Sequence, residues 1–147
     1  MRLARTKAQA GAARSPQAWI IGSDQVADVA GQAVGKPGTL DAARRQLAQL
    51  AGRTVQFHTA LCVMHGALGR SHERVVTTEV VFRALSRDEI ERYLAREPAL
   101  DCAGSAKAEG LGIALLERLS SDDPTALVGL PLAALAAILR AEGFRIP

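Results

Sequence analysis

The feature that most constrains the fold is a regular alternation over residues 74–85, followed at once by a helix start signal. Every second position from Val76 to Phe82 carries an apolar residue or a threonine, which is the period of a β-strand. Ser86 and Glu89 then have the S-x-x-E spacing of a capping box, in which two side chains satisfy backbone amides at a helix N-terminus. A strand that passes directly into a helix predicts a fold that mixes α and β structure.

Helix and strand patterns cover most of the remaining chain. The predicted strands lie at 18–22, at 26–34 as a hairpin turning at Gly31-Gln32, at 55–64 and, with an ambiguous Leu and Ala content, at 111–119. The predicted helices lie at 2–13, at 40–51 behind the cap Thr39, and from Pro131 as an N1 residue. Gly11 and Pro16 are expected to end the first helix. This order predicts one α/β domain over residues 1–147, with consecutive antiparallel strands in its middle.

Composition excludes two broad classes of protein. No apolar run approaches the roughly 18 residues that a membrane span needs, and no apolar region follows the first basic residues as in a secretory signal. Cys62 and Cys102 lack C-x-x-C spacing, which favours free thiols in a reducing compartment over zinc or redox chemistry. The three histidines likewise lack metal-ligand spacing. We therefore expect a cytoplasmic protein with no membrane partner.

The net charge of +3 is unevenly distributed along the chain. Residues 1–53 hold eight basic groups against three acidic groups, a local charge of +5, and the remainder carries −2. A basic half favours an anionic partner, either nucleic acid or a small phosphate compound. Because basic runs and stacking aromatics are lacking there, a nucleic-acid platform is disfavoured.

Three charged residues in the first quarter of the chain are candidates for phosphate chemistry. Asp24 directly follows a predicted strand end, where α/β proteins place catalytic groups, although a turn aspartate that binds backbone amides would look the same. Lys36 lies between Gly35 and Pro37, in a stiffened loop that suits a phosphate ligand. Local pattern alone would favour a solvated lysine at position 36, and equally at Lys7.

A glycine-rich stretch, DCAGSAKAEGLG, supplies a second candidate region at 101–112. Glycine-rich turns let a ligand approach backbone amides. Glu109 stands among small residues in this stretch, near Ser105 and Lys107, and could read a ligand. The alternative is a carboxylate that only faces solvent.

These pieces, in this order, resemble the Maf family of nucleoside triphosphate pyrophosphatases. Each motif is weak alone, but six in register are specific, and together they cover essentially the whole chain. The motifs are RLARTKA at 2–8, IIGSDQV at 20–26, GKP at 35–37, LAGRTVQFHTAL at 50–61, CAGSAKAEGLG at 102–112 and LVGLPL at 127–132. The resemblance implies an elongated mixed central sheet flanked by helices.

The resemblance also extends to one branch of that family. Gln25 in GSDQV and Glu109 in KAEG are similar to the branch that hydrolyses 7-methyl-GTP, whereas the branch acting on dTTP and UTP usually has Thr and Gln at these positions. A carboxylate accepts two hydrogen bonds at once, so Glu109 suits the adjacent N1–H and N2 amino donors of guanine. Methylation at N7 makes the base cationic, which favours a carboxylate further.

Roles for the candidate residues follow from the resemblance. It implies that Asp24 is the proton acceptor for an attacking water, that Lys7 and Lys36 neutralise the triphosphate, and that Gln25 and Glu109 select the base. It also implies a divalent cation, with Mg²⁺ expected and its ligands unassigned. The expected reaction converts 7-methyl-GTP to 7-methyl-GMP and pyrophosphate.

The chain departs from the family at its N-terminus. Family members normally begin with a strand leading into an S-x-S-x-R-R loop, and nothing before Met1 supplies either. The expectation is an N-terminally truncated Maf-like domain whose activity is open. Pyrophosphatases for other canonical or modified nucleotides, and a catalytically impaired nucleotide-binding remnant, therefore stay as alternatives. A homodimer also stays open.

Overall fold

The computed structural model describes all 147 residues, Met1–Pro147. Five strands form one sheet in the order β2-β1-β3-β4-β5, and both edge pairs, β1 with β2 and β4 with β5, are antiparallel. The helices are α1 (Arg2–Arg14), α2 (Leu40–Leu50), α3 (Arg87–Arg96) and α4 (Leu132–Ala141). The strands are β1 (Trp19–Val29), β2 (Gln32–Val34), β3 (Thr54–His65), β4 (Arg70–Phe82) and β5 (Leu116–Ser121). The predicted α/β class is confirmed.

The chain divides into two compact units. Unit 1 comprises Met1–Gln25, Thr59–Thr77 and Asp122–Pro147, and unit 2 comprises Val26–His58 and Thr78–Ser121. The single domain expected over residues 1–147 stays a prediction. None of the helices combines the length and the hydrophobicity that a membrane-spanning helix needs.

In unit 1 the alternation of β3 supplies two apolar faces. Ala60 and Cys62 pack with Ala4 and Ala8 of α1, whereas the intervening positions pack with Leu135 of α4 and its neighbours. Successive residues of a strand point to opposite faces, so one strand forms a core with each helix. Because α1 contributes only alanines to its core, it lies unusually close to the strands beneath it.

Gly22 shows how close that approach is. A Cβ atom at position 22 would lie 2.2 Å from the carbonyl oxygen of Ala4 and 2.7 Å from the amide nitrogen of Ala8. These are backbone atoms of a helix, which cannot move aside as a flexible side chain can. Gly22 was expected to stop the strand at 18–22, but β1 continues through it to Val29. The residue is a glycine because any side chain would occupy the space that α1 fills.

We expect Gly22→Ala to lower the free energy of unfolding by about 1–3 kcal/mol, the usual cost of overpacking a core. Urea unfolding followed by circular dichroism measures this free energy. Gly35→Ala is the matched control, because a Cβ at position 35 meets nothing within 4 Å. Equal stability of the two variants would contradict the close packing of α1.

Other element boundaries also differ from the sequence-based predictions. The first helix runs through Gly11, where a Cβ would lie 2.5 Å from a methyl carbon of Ile20, so this glycine serves packing rather than termination. The hairpin turns at Ala30-Gly31, because Val29 pairs with Gln32; both turn residues have positive φ, 52° and 84°, as a type I′ turn requires. The predicted strand at 111–119 is a 3₁₀ turn at Leu111–Leu115 followed by β5.

In unit 2 the helices α2 and α3 pack together. Thr39 caps α2 as predicted, accepting from the amide of Ala42, and the predicted capping box of Ser86 and Glu89 begins α3. An ion pair joins the helices, with Arg44 Nη2 lying 3.0 Å from Glu91 Oε2. These helices support the loop that carries Lys36 and the loop that carries Glu109.

Candidate active site

Asp24 lies inside β1 and forms an ion pair with Lys7 of α1. Lys7 Nζ donates to Asp24 Oδ1 at 2.8 Å and to the carbonyl oxygen of Ser23 at 2.8 Å. The sequence placed Asp24 after a strand end, and this was wrong, since β1 is continuous from Trp19 to Val29. The Asp24 side chain is 27% exposed and that of Lys7 is 57% exposed, so the pair is open to a ligand.

The packing of α1 explains why these two residues meet. Ala4 and Ala8 are fully buried against the strands, and Lys7 is the neighbour of Ala8 at the edge of that buried face. Asp24 is two residues beyond Gly22, and alternate residues of a strand share a face. The contact between α1 and Gly22 therefore brings Lys7 and Asp24 together, and the Lys7 bond to Oδ1 leaves Oδ2 for another partner.

Ser23 and Gln25 project from the opposite face of β1 and bind the 126–129 segment. Gln25 Nε2 lies 3.0 Å from Thr59 Oγ1 and from the carbonyl oxygens of Ala126 and Leu127. Because carbonyls only accept hydrogen bonds, these contacts assign the amide nitrogen to this side. Ser23 Oγ is 2.6 Å from the carbonyl oxygen of Gly129. The side-chain oxygen of Gln25 is the atom left for a ligand.

The segment that receives Gln25 is itself held by a buried carboxylate. Asp123 is 3% exposed and accepts from the amides of Ala133 and Ala134 at 2.8 and 3.1 Å, and from Thr125 Oγ1 at 2.6 Å. Burial raises the pKa of Asp123, but these hydrogen bonds outweigh burial and leave that pKa below its usual value. Pro131 was expected at position N1 of the last helix; it is the N-cap residue, and Asp123 with Thr125 satisfies the free amides of α4.

In unit 2 the Lys36 loop is anchored on both sides of the lysine. The carbonyl of Gly35 accepts from Gln46 Nε2 of α2 at 3.0 Å, and the amide of Gly38 donates to the carbonyl of Leu100 at 3.0 Å. The Lys36 side chain itself is exposed. The backbone is thus fixed while the ammonium group stays available to an anion.

Glu109 occupies a tight turn that the side chains of Tyr93 and Glu97 stabilise. The turn is closed by a hydrogen bond from the Gly110 amide to the Lys107 carbonyl at 3.1 Å. Tyr93 Oη accepts from the Lys107 amide at 3.2 Å, and Glu97 accepts from the amide of Gly112 at 3.2 Å. The Glu109 carboxylate is exposed at the tip.

Glu97 lies directly against Gly110 in this turn. A Cβ there would lie 2.3 Å from Glu97 Oε1, so a larger residue would displace the carboxylate that holds the Gly112 amide. Burial raises the pKa of Tyr93 to about 12. The third side chain that binds this segment is Gln46, whose amide oxygen accepts from Ser105 Oγ.

The structure groups the candidate residues within each unit. In unit 1, Lys7 of α1 and Asp24 of β1 are in direct contact. Gln25 follows Asp24 in β1 but projects from the other face of the strand. Lys36 and Glu109 lie on two loops of unit 2 that are both bound to α2 by Gln46. Lys107 approaches Asp101 at 3.6 Å.

Several residues of the site were not predicted from the sequence. Ser23, Gln46, Thr59 and Asp123 act through hydrogen bonds to distant backbone or side-chain atoms, and no local pattern identifies such partners. Only Gln46 had a sequence signal for a partner: it is a polar residue directly beside the apolar positions of a predicted amphipathic helix.

The cysteines and histidines have structural surroundings. Cys62 and Cys102 are free, and burial raises the pKa of both thiols, which lowers their reactivity. His72 Nε2 lies 2.5 Å from Glu142 Oε1, and His65 stacks edge-on against Trp19. No group of three or more His, Cys, Asp or Glu residues could hold a metal ion by itself.

Comparisons with known proteins agree with one another. The model of a family described as Maf-like protein matches residues 1–142. The chain is similar to the 7-methyl-GTP pyrophosphatase of Xanthomonas campestris pv. campestris (strain 8004), with 58% identity over 99% of this chain and 76% of that protein. It is similarly related to the proteins of that name from Aromatoleum aromaticum, at 58% identity over 99% of this chain and 75% of that protein, and Cupriavidus pinatubonensis, at 56% over 98% and 72%.

Proposed function

Because the chain belongs to the Maf family, we propose that it is a nucleoside triphosphate pyrophosphatase that hydrolyses 7-methyl-GTP to 7-methyl-GMP and pyrophosphate. The relatives that share more than half of its residues carry that activity in their names. The single structural observation that supports the proposal most is the pairing of Lys7 with the partly exposed carboxylate of Asp24. The pair supports the proposal that Asp24 acts as a base beside a cation, Lys7, that neutralises phosphate charge.

In the proposed reaction Asp24 acts as the general base. Oδ1 is held by Lys7, and Oδ2 accepts a proton from water as the water oxygen forms a bond to the α-phosphorus. The bond between the α-phosphorus and the oxygen bridging to the β-phosphorus breaks, and pyrophosphate leaves with the electron pair. Positioning and charge neutralisation provide most of the rate enhancement in such transfers.

Mg²⁺ is the divalent cation proposed for this reaction. Mg²⁺ in nucleotide enzymes is usually held by one or two carboxylates together with substrate phosphates rather than by an all-protein cage, and the absence of a three-ligand cluster is consistent with that mode. The ion would be held mainly by the substrate phosphates, with its protein ligands unassigned, which leaves Oδ2 of Asp24 able to accept the proton. When bound, Mg²⁺ neutralises charge on the phosphate oxygens.

Glu109 and Gln25 are proposed to select the base. Glu109 presents an exposed carboxylate at the tip of a turn held by Tyr93 and Glu97, where both oxygens can accept from N1–H and the N2 amino group of guanine. The nitrogen of Gln25 is bound to protein acceptors, so its proposed contribution is an acceptor oxygen. The positive charge of the N7-methylated ring adds a coulombic preference for Glu109 over a neutral side chain.

We expect Lys36→Ala to raise KM for the triphosphate about tenfold, because a hydrogen bond to a charged group contributes about 1.5 kcal/mol at the low end of its range. The affinity for the monophosphate product should change less, since the role proposed for Lys36 is to neutralise the triphosphate. Steady-state kinetics of 7-methyl-GTP and competitive inhibition by 7-methyl-GMP measure the two effects.

Arg45→Ala is the control for Lys36, because it removes an exposed cation of the same unit from the surface of α2. Arg45→Ala should leave both the KM for 7-methyl-GTP and the affinity for 7-methyl-GMP near those of the wild type. Equal losses for triphosphate and monophosphate in Lys36→Ala would place this lysine near the base or sugar and contradict its assigned role.

A substrate panel tests the proposed function directly. Pyrophosphate release from 7-methyl-GTP, GTP, dTTP and UTP, each with Mg²⁺, should give the highest kcat/KM for 7-methyl-GTP. A higher value for another nucleotide would favour a different pyrophosphatase specificity. Tight binding of a non-hydrolysable 7-methyl-GTP analogue without turnover of 7-methyl-GTP would favour a nucleotide-binding protein. Homodimer formation and a cytoplasmic location stay predictions.

A further inference from the structure

Gln46 connects the two loops of unit 2 that carry candidate site residues. Its Nε2 atom donates to the carbonyl of Gly35 at 3.0 Å, directly before Lys36. Its Oε1 atom accepts from Ser105 Oγ, four residues before Glu109. We infer that Gln46 is a positioning residue that fixes the Lys36 loop and the Glu109 loop relative to each other. The inference rests on the proposed function for its catalytic consequences.

The chemistry at both ends of Gln46 requires an amide. The Gly35 carbonyl can only accept a hydrogen bond, so it needs a donor, whereas the Ser105 hydroxyl here donates and needs an acceptor. A carboxylate would supply only the acceptor for Ser105, and an ammonium group would supply only the donor for Gly35. Gln46 is one residue before the fully buried Leu47 of α2, so its backbone is held by the helix and its core contacts.

The Ser105 end of this connection is a strained and buried segment. Ser105 has a φ of 55° and Gly104 a φ of 76°, and Ser105 is fully buried. A non-glycine residue in this region of φ persists only when its surroundings hold it there. The hydroxyl of Ser105 would be left as an unsatisfied buried donor without Gln46, so the bond stabilises the conformation that leads into the Glu109 turn.

The Gly35 end has a second connection close by. The Gly38 amide donates to the carbonyl of Leu100, so the four residues that contain Lys36 are tied at one end to α2 and at the other to the segment preceding Ser105. The loop for the phosphates and the loop for the base are thereby joined twice. Loss of Gln46 removes one of these two connections and should loosen both loops together.

The first experiment measures loop mobility without any substrate. Amide hydrogen exchange of Gln46→Met, which keeps the length of the side chain but neither hydrogen bond, should be faster by about 2- to 10-fold per lost bond in segments 35–38 and 103–110. Ser105→Ala should accelerate exchange in 103–110 and leave 35–38 closer to the wild type, because the bond from Gln46 to Gly35 is retained. Unchanged exchange in both segments of Gln46→Met would overturn the inference.

The second experiment measures base selectivity. The ratio of kcat/KM for 7-methyl-GTP over GTP should fall about fivefold to tenfold in Gln46→Met, mainly through KM, because the Glu109 turn is no longer fixed against Lys36. Gln49→Ala is the control, since Gln49 lies one turn further along α2, is exposed and forms none of these bonds. Gln46→Glu, which can still accept from Ser105, should lose less selectivity than Gln46→Met.

The two experiments separate failure of this inference from failure of the proposed function. If the wild type does not hydrolyse 7-methyl-GTP, the proposed function fails, while the exchange measurement still decides whether Gln46 couples the loops. If the wild type is active, an unchanged selectivity ratio in Gln46→Met overturns the positioning role. Should Gln46→Met fail to fold, Ser105→Ala carries the same test through its own bond, and an unchanged ratio there overturns it equally.

Discussion

Replacing Asp24 with asparagine should lower kcat for 7-methyl-GTP hydrolysis by about 10²–10⁴-fold, the usual contribution of a general base. The amide has nearly the shape of the carboxylate, and its oxygen can still accept from Lys7 Nζ, so the contact at 2.8 Å should persist. What is lost is the ability to take a proton from water. Pyrophosphate release under saturating substrate measures the effect, and unchanged urea unfolding verifies that the fold is intact.

Asp122→Asn is the matched control for this experiment. Asp122 is an exposed carboxylate of the same unit, so the substitution makes the same chemical change away from the Lys7 pair. It should retain full activity. Near-complete activity of Asp24→Asn would show that another group accepts the proton and that Asp24 has only a structural role with Lys7.

Replacing Glu109 with glutamine should reduce the preference for the methylated base by roughly 10–150-fold. A hydrogen bond to a charged group contributes about 1.5–3 kcal/mol, and the neutral amide offers one acceptor oxygen in place of two. The fold should be unaffected, because the carboxylate is exposed at the tip of its turn. The measured quantity is the ratio of kcat/KM for 7-methyl-GTP over GTP in wild type and variant.

Glu117→Gln controls for the loss of one negative charge from the same unit. Glu117 is exposed on β5, and its replacement should leave the ratio unchanged. If Glu109→Gln also left the ratio unchanged, Glu109 would be removed from base recognition. A fall in activity on every nucleotide alike would instead indicate that the whole turn had been disturbed.

Local patterns predicted the elements whose stability is itself local. The alternation at 74–85 corresponds to the greater part of β4, and the capping box of Ser86 and Glu89 forms as expected. Thr39 caps α2 for the same reason, because a cap requires only residues three positions apart. Boundaries failed where packing decides them: Gly11 and Gly22 have the sequence appearance of stops, yet each is a glycine because another element occupies the space of its side chain.

The site was predictable only as a set of residues and not as an arrangement. Asp24 and Lys7 are 17 positions apart, and their contact depends on how α1 packs on β1, which no spacing rule contains. Gln46 and Ser105 are separated by 59 positions, so their bond is equally invisible in the sequence. The resemblance to a known family implies a role for each candidate, whereas the hydrogen bonds that orient the candidates depend on the three-dimensional fold.

The close packing of α1 makes the Lys7–Asp24 distance depend on residues that take no part in the chemistry. The methyl groups of Ala4 and Ala8, together with the missing one at Gly22, determine how far the helix axis lies from the strand. One added carbon at position 22 would overlap backbone atoms of Ala4 and Ala8 and push α1 away from β1, although no charged group would have changed. We therefore expect side-chain volume to be the restricted property at positions 4, 8 and 22, and activity there to decline with residue size even in variants that remain folded.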